Sequence, residues 1–496
     1  MPATNGKIEH VFVLMLENRS YDHLLGFSPI EGADAATGLP TRANALTGSE
    51  TNTWGGKTYQ VATGAPYVMP VDPGHELRDV VAQLAGAEAS YNPAGPFPNI
   101  DNSGYVANYA ASGGGASPGD VMKCYAADNL PVINALAREF VLCDNWHASM
   151  PGPTWPNRMF VHAASSGGLD HSPTVLEIVQ WESVQGFAFT NGTLFDRLAE
   201  GGQTRRLYGG DDFPMVAALK GIGLADVRRY ENFAADLQQD QFPFTYVFIE
   251  PSYDVFHEYR SGNSQHPLGD VRRGEALIKS TYEAIRNSPH WDHSLLIVTW
   301  DEHGGFFDHG VPPAAPPPGD TAQFSVHNRE GFRFDLYGPR VPALIVSPMI
   351  PKNLIDHRVY DHTSIPATVE ALFDLPPMTA RDRLANRLNT LLTLAEPRTD
   401  APTSLPGAME AGVSAVSAAA VKAMSPSVTR PQETVNQGNV PAVVHAAMQQ
   451  QLALAPAARA AILERVKAIH TRAQAREYLL EVRQTTRPAK SASQGS

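Results

Sequence analysis

The chain has 496 residues, 43% hydrophobic and 18% charged, with a formal net charge of −13 and a pI near 5.7. That length suits two or more domains, or one large α/β domain with long insertions. The acidic balance excludes nucleic acid as the default partner, because phosphate binding needs a basic surface. No apolar run reaches the roughly 18 residues of a spanning helix.

The N-terminal MPATNGKIEH carries neither an apolar h-region nor twin arginines, so no Sec or Tat signal is expected. The first strand reads HVFVLML (10–16) and stops on Glu17, Asn18, Arg19 and Ser20. Residues 30–130 are Gly- and Asn-rich and are expected to be loop insertions covering the rim where the strands end. Cys124 and Cys143 lie near one another in sequence and either pair or stay as buried thiols. In PGPTWPNR (151–158), Trp155 or Pro156 suits a first helical turn, which would place Thr154 at the N-cap.

Three further runs, FTYVFIE (244–250), SLLIVTW (294–300) and PALIVSPMI (342–350), read with the first as buried parallel strands. A helical stretch, DVRRGEALIKSTYEAIRNS (270–288), lies among them. This alternation predicts an α/β, doubly wound sheet sandwiched by helices, whose ligands bind beyond the carboxyl ends of the strands. Glu17, Asn18, Arg19, Glu250, Asp301, Glu302 and His303 all leave such ends.

After about Pro397 the chain turns Ala-, Ser- and Pro-rich, as a linker would. Three short helical segments follow, and the last residues, PAKSASQGS, are expected to be disordered. The expected division is 1–396 as catalytic domain and 397–496 as linker and helical tail.

Adjacent Asp301 and Glu302 at the end of a buried strand repel unless a cation or partner neutralises them. Glu17 and Asn18 offer hard oxygen ligands for a divalent cation, although ENRS also reads as a cap opening the helix YDHLLG. A threonine hydroxyl at a helix N-terminus meets the positive end of the dipole, which favours its alkoxide and a phosphate beside it; a plain capping role fits the same position. His75, His266 and His362 stand in polar loops. Near a phosphate site they could donate protons or bind oxygen anions. Gly115-Ala116-Ser117-Pro118-Gly119 spells G-x-S-x-G, but no strand precedes it, so it reads as loop.

ENRSYDHLLG (17–26), DPGHE (72–76), PGPTWPNRMFVHAASSGG (151–168) and DEHGGFFDHGVPP (301–313), with YGPRVPALIVSP (337–348) and YDHTSI (360–365), form an ordered set. The set resembles the bacterial and plant phosphoesterase family that contains phosphatidylcholine-type and non-specific phospholipases C and an acid phosphatase. It spans roughly residues 8 to 395. The resemblance implies an alkaline-phosphatase-like fold and a divalent metal. Glu17, Asn18, Asp301, Glu302 and Thr154 would hold that metal. Thr154 matches the family nucleophile, and a phospho-threonine intermediate would form and be hydrolysed. His75 and His266 would bind phosphoryl oxygens or protonate the leaving group. Arg19, Asn157 and His303, inside the same motifs, are expected to bind substrate. The chain departs from the family in having SQHP (264–267) where members often have DDHP, which bears on His266 and on the charge around the leaving group.

Hard oxygen ligands suit Ca, Mg or Mn, and a histidine in the set would admit Zn or Fe. The substrate would be a phospholipid, cleaved in phospholipase C fashion, or a small soluble phosphate ester, as for an acid phosphatase. Peripheral membrane contact, oligomeric state and localisation stay open, although the family is often secreted. A catalytically inactive metal-binding or interaction module is the reading of another class. Such a relative would be expected to lose Thr154 or one of the acids.

Overall fold

The computed structural model describes residues 8–181, 186–255, 259–321, 325–409, 435 and 439–486. At its centre lies a ten-stranded sheet. Its spatial order is Val227–Arg229, Arg205–Gly209, Tyr246–Glu250, His10–Leu16, Ser294–Trp300, Ala343–Val346, Val141–Cys143, Leu354–Asp356, Glu31–Asp34 and Pro40–Arg42. Helices flank it. Every residue of the His10–Leu16 and Ser294–Trp300 strands is buried, the pattern expected when both faces of a sheet are covered.

The first strand sits between two strands that come much later in the chain, and it is parallel to both. Leu16 pairs with Trp300, so Glu17 and Asp301 leave the sheet side by side. The helix Val271–Arg286 connects Tyr246–Glu250 to Ser294–Trp300 and so carries the chain across the first strand. Asp270 caps it by accepting the Arg272 N–H at 3.0 Å.

The strand expected parallel within 342–350 differs in direction. Ala343–Val346 runs antiparallel to Ser294–Trp300 on one side and to Val141–Cys143 on the other. A continuous apolar run reports burial on two faces, which is the same for either direction. Residues 30–130 hold more structure than loops alone. They include the hairpin of Thr51–Trp54 and Lys57–Gln60 and the helices Leu77–Ala85 and Tyr105–Ala111. Val80, Leu84, Tyr105, Val106 and Tyr109 pack with Phe306 and Phe307. The insertion is thereby anchored on the loop that follows Asp301 and Glu302. The G-x-S-x-G stretch runs through two short 3₁₀ turns, Gly114–Ala116 and Pro118–Met122, with Ser117 between them, and a helix rather than a strand precedes it.

The chain divides into two compact units. One gathers Met1–Ser172, Phe189–Asp211 and Arg228–Val413; the other gathers Pro173–Ala188, Asp212–Val227 and Ser414–Ser496. Residues 398–405 stay with the first unit because Arg398 bonds Glu139, while Arg286 and Tyr282 donate to the carbonyls of Ala401 and Pro402. The second unit contains the tail helices Val440–Leu454, Arg459–Lys467 and Arg472–Thr486, as the sequence suggested, and takes in Val175–Trp181. The expected linker beyond residue 409 lies largely outside the described residues, as does the expected disordered end. Cys124 and Cys143 are free and buried. Among the described residues no helix is long and apolar enough to cross a membrane.

Candidate active site

The site lies beyond the carboxyl ends of the three parallel central strands. Asn18 turns the chain there with φ of 58°, a left-handed conformation that asparagine tolerates better than most residues. Its backbone N–H donates to Asp301 Oδ1 at 3.0 Å, which locks the ends of two neighbouring strands together. Ser20 then caps the helix Tyr21–Leu25 by accepting the His23 N–H at 3.1 Å.

Thr154 is the first residue of the helix Thr154–Ala163, with Pro153 at the N-cap. It therefore stands one position inside the expected N-cap, and its hydroxyl does no capping. Prolines at 153 and 156 leave only Thr154 and Trp155 with an N–H at this helix end. The Asn18 amide reaches Thr154 Oγ1 at 3.3 Å, His75 Nδ1 at 3.1 Å, and Glu302 Oε1. His75 Nδ1 and Glu302 Oε1 are 2.7 Å apart. Four side chains from four separate segments thus meet at one point, with Thr154 only 4% exposed.

Asp301 joins the cluster through Asn18 and is braced by a second set of bonds. Its Oδ2 receives Arg158 Nε at 2.9 Å, and Arg158 also donates to the Leu16 carbonyl at 2.9 Å. Arg158 lies 3.8 Å from Glu250 and its guanidinium is stacked over Tyr253. Asp301 and Glu302 consequently have split acidities. Burial, with Glu302 adding to it, pushes the Asp301 carboxyl up despite Arg158. Burial opposes ionisation of Glu302 as well, but the His75 charge and the hydrogen bonds of His303 and His75 outweigh it and hold that carboxyl down. Burial likewise opposes a charge on His75, and Glu302 overrides it, raising the imidazole well above its ordinary value.

Gly304 and Gly305 have φ of 66° and 72°, and a Cβ on Gly304 would stand 2.0 Å from the Asn18 carbonyl. This close approach is why the glycine pair follows the two acids.

Other expected site residues sit differently. The buried Arg19 donates to the carbonyls of Gln265 and His266 at 2.7 and 3.3 Å and lies over Phe306, so its charge fastens the 264–267 loop instead of facing the Thr154 cluster. Asn157 wraps the Pro-Gly-Pro turn: its amide donates to the carbonyls of Gly152 and Pro153 and accepts the Met150 N–H. His303 is fully buried, bonded to Gln83 at 2.7 Å and set edge-on to Tyr105. His266 is stacked on Tyr259 at 3.5 Å, and its Nε2 faces Asp72 at 3.5 Å. Glu17 is fully buried beside the cluster, with its N–H on the Ser264 carbonyl.

Arg158 had no role in the sequence reading. Its i+4 spacing from Thr154, on one face of one helix, was the available signal.

The donor set suits a hard divalent cation. Asn18 Oδ1 is buried without a hydrogen-bond partner beside carboxylate and hydroxyl oxygens. Among the described residues no three His, Cys, Asp or Glu side chains group as a metal centre by themselves, so the set depends on the amide and hydroxyl oxygens too.

The sequence model of the Phosphoesterase family matches residues 8–376. Non-specific phospholipase C3 of Arabidopsis thaliana is 34% identical over 419 residues, covering 80% of this chain and 76% of that protein. Phospholipase C B of Mycobacterium tuberculosis is 28% identical over 434 residues, covering 79% and 78%. Among solved structures, a protein in the alkaline phosphatase superfamily from Vibrio parahaemolyticus is similar with a TM-score of 0.33 and 18% identity, over 53% of this chain and 65% of that one.

Proposed function

The chain belongs to the phosphoesterase family, and from that premise we propose that it is a metal-dependent, phospholipase C-type hydrolase of phospholipid head groups with Thr154 as its nucleophile. That it hydrolyses phosphoester bonds follows from the family. The observation that carries the finer reading is the meeting of Asn18, His75 and Glu302 at the Thr154 hydroxyl, on an uncapped helix N-terminus.

Thr154 reacts as its alkoxide, the hydroxyl proton passing to solvent; its oxygen attacks phosphorus, and the new P–O bond forms as the bond to the leaving alcohol breaks. The helix N-terminus favours negative charge on both the attacking oxygen and the phosphoryl oxygens. His75, kept protonated by Glu302, gives its proton to the departing oxygen. Water then hydrolyses the phospho-threonine. A divalent cation held by Glu17, Asn18, Asp301, Glu302 and the Thr154 oxygen would lower the pKa of the hydroxyl and offset the phosphoryl charge.

The test compares p-nitrophenyl phosphorylcholine with p-nitrophenyl phosphate. Faster turnover of the phosphorylcholine ester is expected, and the reverse order would favour a phosphomonoesterase. Thr154→Ala should cut turnover by about a thousandfold or more while Thr154→Ser keeps part of it. Because the hydroxyl caps nothing, Thr154→Ala should cost the fold little beyond its one bond from Asn18, on the order of 1 kcal/mol. Acid quenching during turnover of p-nitrophenyl phosphorylcholine should leave phosphorylcholine on the peptide containing Thr154, whereas p-nitrophenyl phosphate would leave phosphate there. A Thr154→Ala enzyme within about tenfold of the parent would overturn the mechanism.

A further inference from the structure

The dipeptide Asp361-His362 takes no part in the chemistry above, yet it touches both halves of the site from behind. Residues Tyr360–Asp361 form a short parallel pair with Trp146–His147, with Asp361 opposite His147. Asp361 Oδ2 accepts the Ser149 hydroxyl at 2.7 Å, its Oδ1 accepts Thr363 Oγ1 at 2.5 Å, and Arg381 neutralises it at 3.4 Å. Arg381 also donates to the Ser149 carbonyl, so Ser149 is held at two points. From Ser149 the chain reaches Thr154 through Met150-Pro151-Gly152-Pro153, a turn stiffened by two prolines and gripped by Asn157. Fixing Ser149 therefore fixes where the Thr154 helix begins.

His362 reaches the other half. The indole of Trp146 can only donate, so its 3.3 Å bond to His362 Nδ1 makes that nitrogen an acceptor and puts the ring proton on Nε2. That Nε2–H donates to the Asp301 backbone carbonyl at 2.6 Å. His362, Asp361, Ser149, Trp146 and Asp301 are all at most 1% exposed, so none of these bonds is shared with solvent.

We propose that Asp361-His362 is a positioning element that holds the Thr154 turn and the Asp301 strand end in one register. Two adjacent residues bind two segments about 150 residues apart in sequence, so a shift of either segment moves the other. Neither residue touches substrate; the effect on turnover works through the distance between the attacking hydroxyl and the acids opposite it. Misplacement of reacting groups by about 1 Å can cost on the order of a hundredfold in rate. The catalytic part of this inference rests on the proposed function, while the mechanical coupling of the two segments does not.

The experiment uses the full chain and pairs kinetics with hydrogen–deuterium exchange. His362→Phe fills the space without a donor, His362→Gln can restore an N–H near the Nε2 position, and Ser149→Ala removes only the hydroxyl that bonds Asp361. His362→Phe should lower kcat on p-nitrophenyl phosphorylcholine by about tenfold or more with KM within about twofold, and His362→Gln should recover most of it. Ser149→Ala should raise exchange in the segment 299–303, which Ser149 itself does not bond, as well as in 149–155. A purely structural role would lower the melting temperature and raise exchange across the whole sheet, with no rescue by glutamine. The inference is overturned by a foldable His362→Phe with unchanged kcat, by a glutamine variant no better than phenylalanine, or by a Ser149→Ala variant in which only 149–155 loosens. If the parent hydrolyses neither ester, the proposed function fails, and the exchange coupling still decides for or against the element. If His362→Phe does not fold, the Ser149→Ala exchange pattern decides alone.

Discussion

Arg158 shows how one side chain makes an acidic site foldable. It is 3% exposed, pairs with Asp301 at 2.9 Å, lies 3.8 Å from Glu250 and donates to the carbonyls of Met15 and Leu16. It serves as counter-charge and as cap for the first strand. Replacing it with methionine preserves bulk but leaves buried carboxylates without their partner. Arg158→Met should therefore cost about 3–5 kcal/mol of stability, read by urea denaturation. Arg158→Lys keeps the charge but cannot hold Asp301 and the two carbonyls with one planar fork, so it should recover only part of that loss. An Arg158→Met protein as stable as the parent would mean that Asp301 is satisfied elsewhere. Arg19 is the contrasting case. Its place in ENRS suggested substrate contact, and its two bonds to backbone carbonyls spend the guanidinium on the fold.

At the scale of elements, the turn after Ser294–Trp300 decides whether the acids meet Asn18. Gly304 has φ of 66° and lies against the Asn18 carbonyl. Gly304→Ala combines left-handed strain, about 1–3 kcal/mol for such a residue, with a steric overlap that must push the two strand ends apart. A lower melting temperature together with a disproportionate loss of kcat is the expected result, and a variant with normal kcat would show that the ends need not stay in contact. A second junction joins helices. Glu275, on Val271–Arg286, accepts the N–H groups of Val132 and Ile133 at 2.8 and 2.9 Å, and so caps the helix Pro131–Glu139 from outside. Burial raises its carboxyl from 4.5 to about 7, in spite of these two bonds. The folded state then binds the proton more tightly than the unfolded chain does. The contribution to stability is complete below pH 4.5 and is lost as pH rises through about 7, a change of roughly 3 kcal/mol. Glu275→Gln should flatten the stability profile across that window. An unaltered slope would assign the pH dependence to other groups.

For the molecule as a whole, the test of the metal is thermodynamic as well as catalytic. A cation that binds only the folded chain adds stability by mass action. Chelation should thus lower the melting temperature and abolish hydrolysis, and a divalent ion should restore both; full activity in protein shown to be metal-free by elemental analysis would exclude the proposal. Much of this architecture was legible in the chain itself. The runs at 10–16, 244–250 and 294–300 mark buried strands because apolar continuity records burial, and the polar residues that end them mark the rim of the site. Thr154, Asn18, Glu302 and His75 stood out through the ordered set of motifs that contains them, since by residue chemistry alone a helix cap explains Asn18 and Thr154 equally well. Strand direction was not legible, since Ala343–Val346 is equally apolar whichever way it runs. Nor were the short strands at 141–143 and 354–356, which are too brief to set a period. Side-chain orientation was the larger gap. Arg19, Asn157, Arg158 and His362 occupy motif positions, but whether each faces the cluster or braces it depends on contacts with segments 61 or more residues away or on the path of a turn. Residue chemistry, which local sequence carries, determined which groups could react; the packing of distant strands and loops, which no local pattern encodes, decided which of them meet.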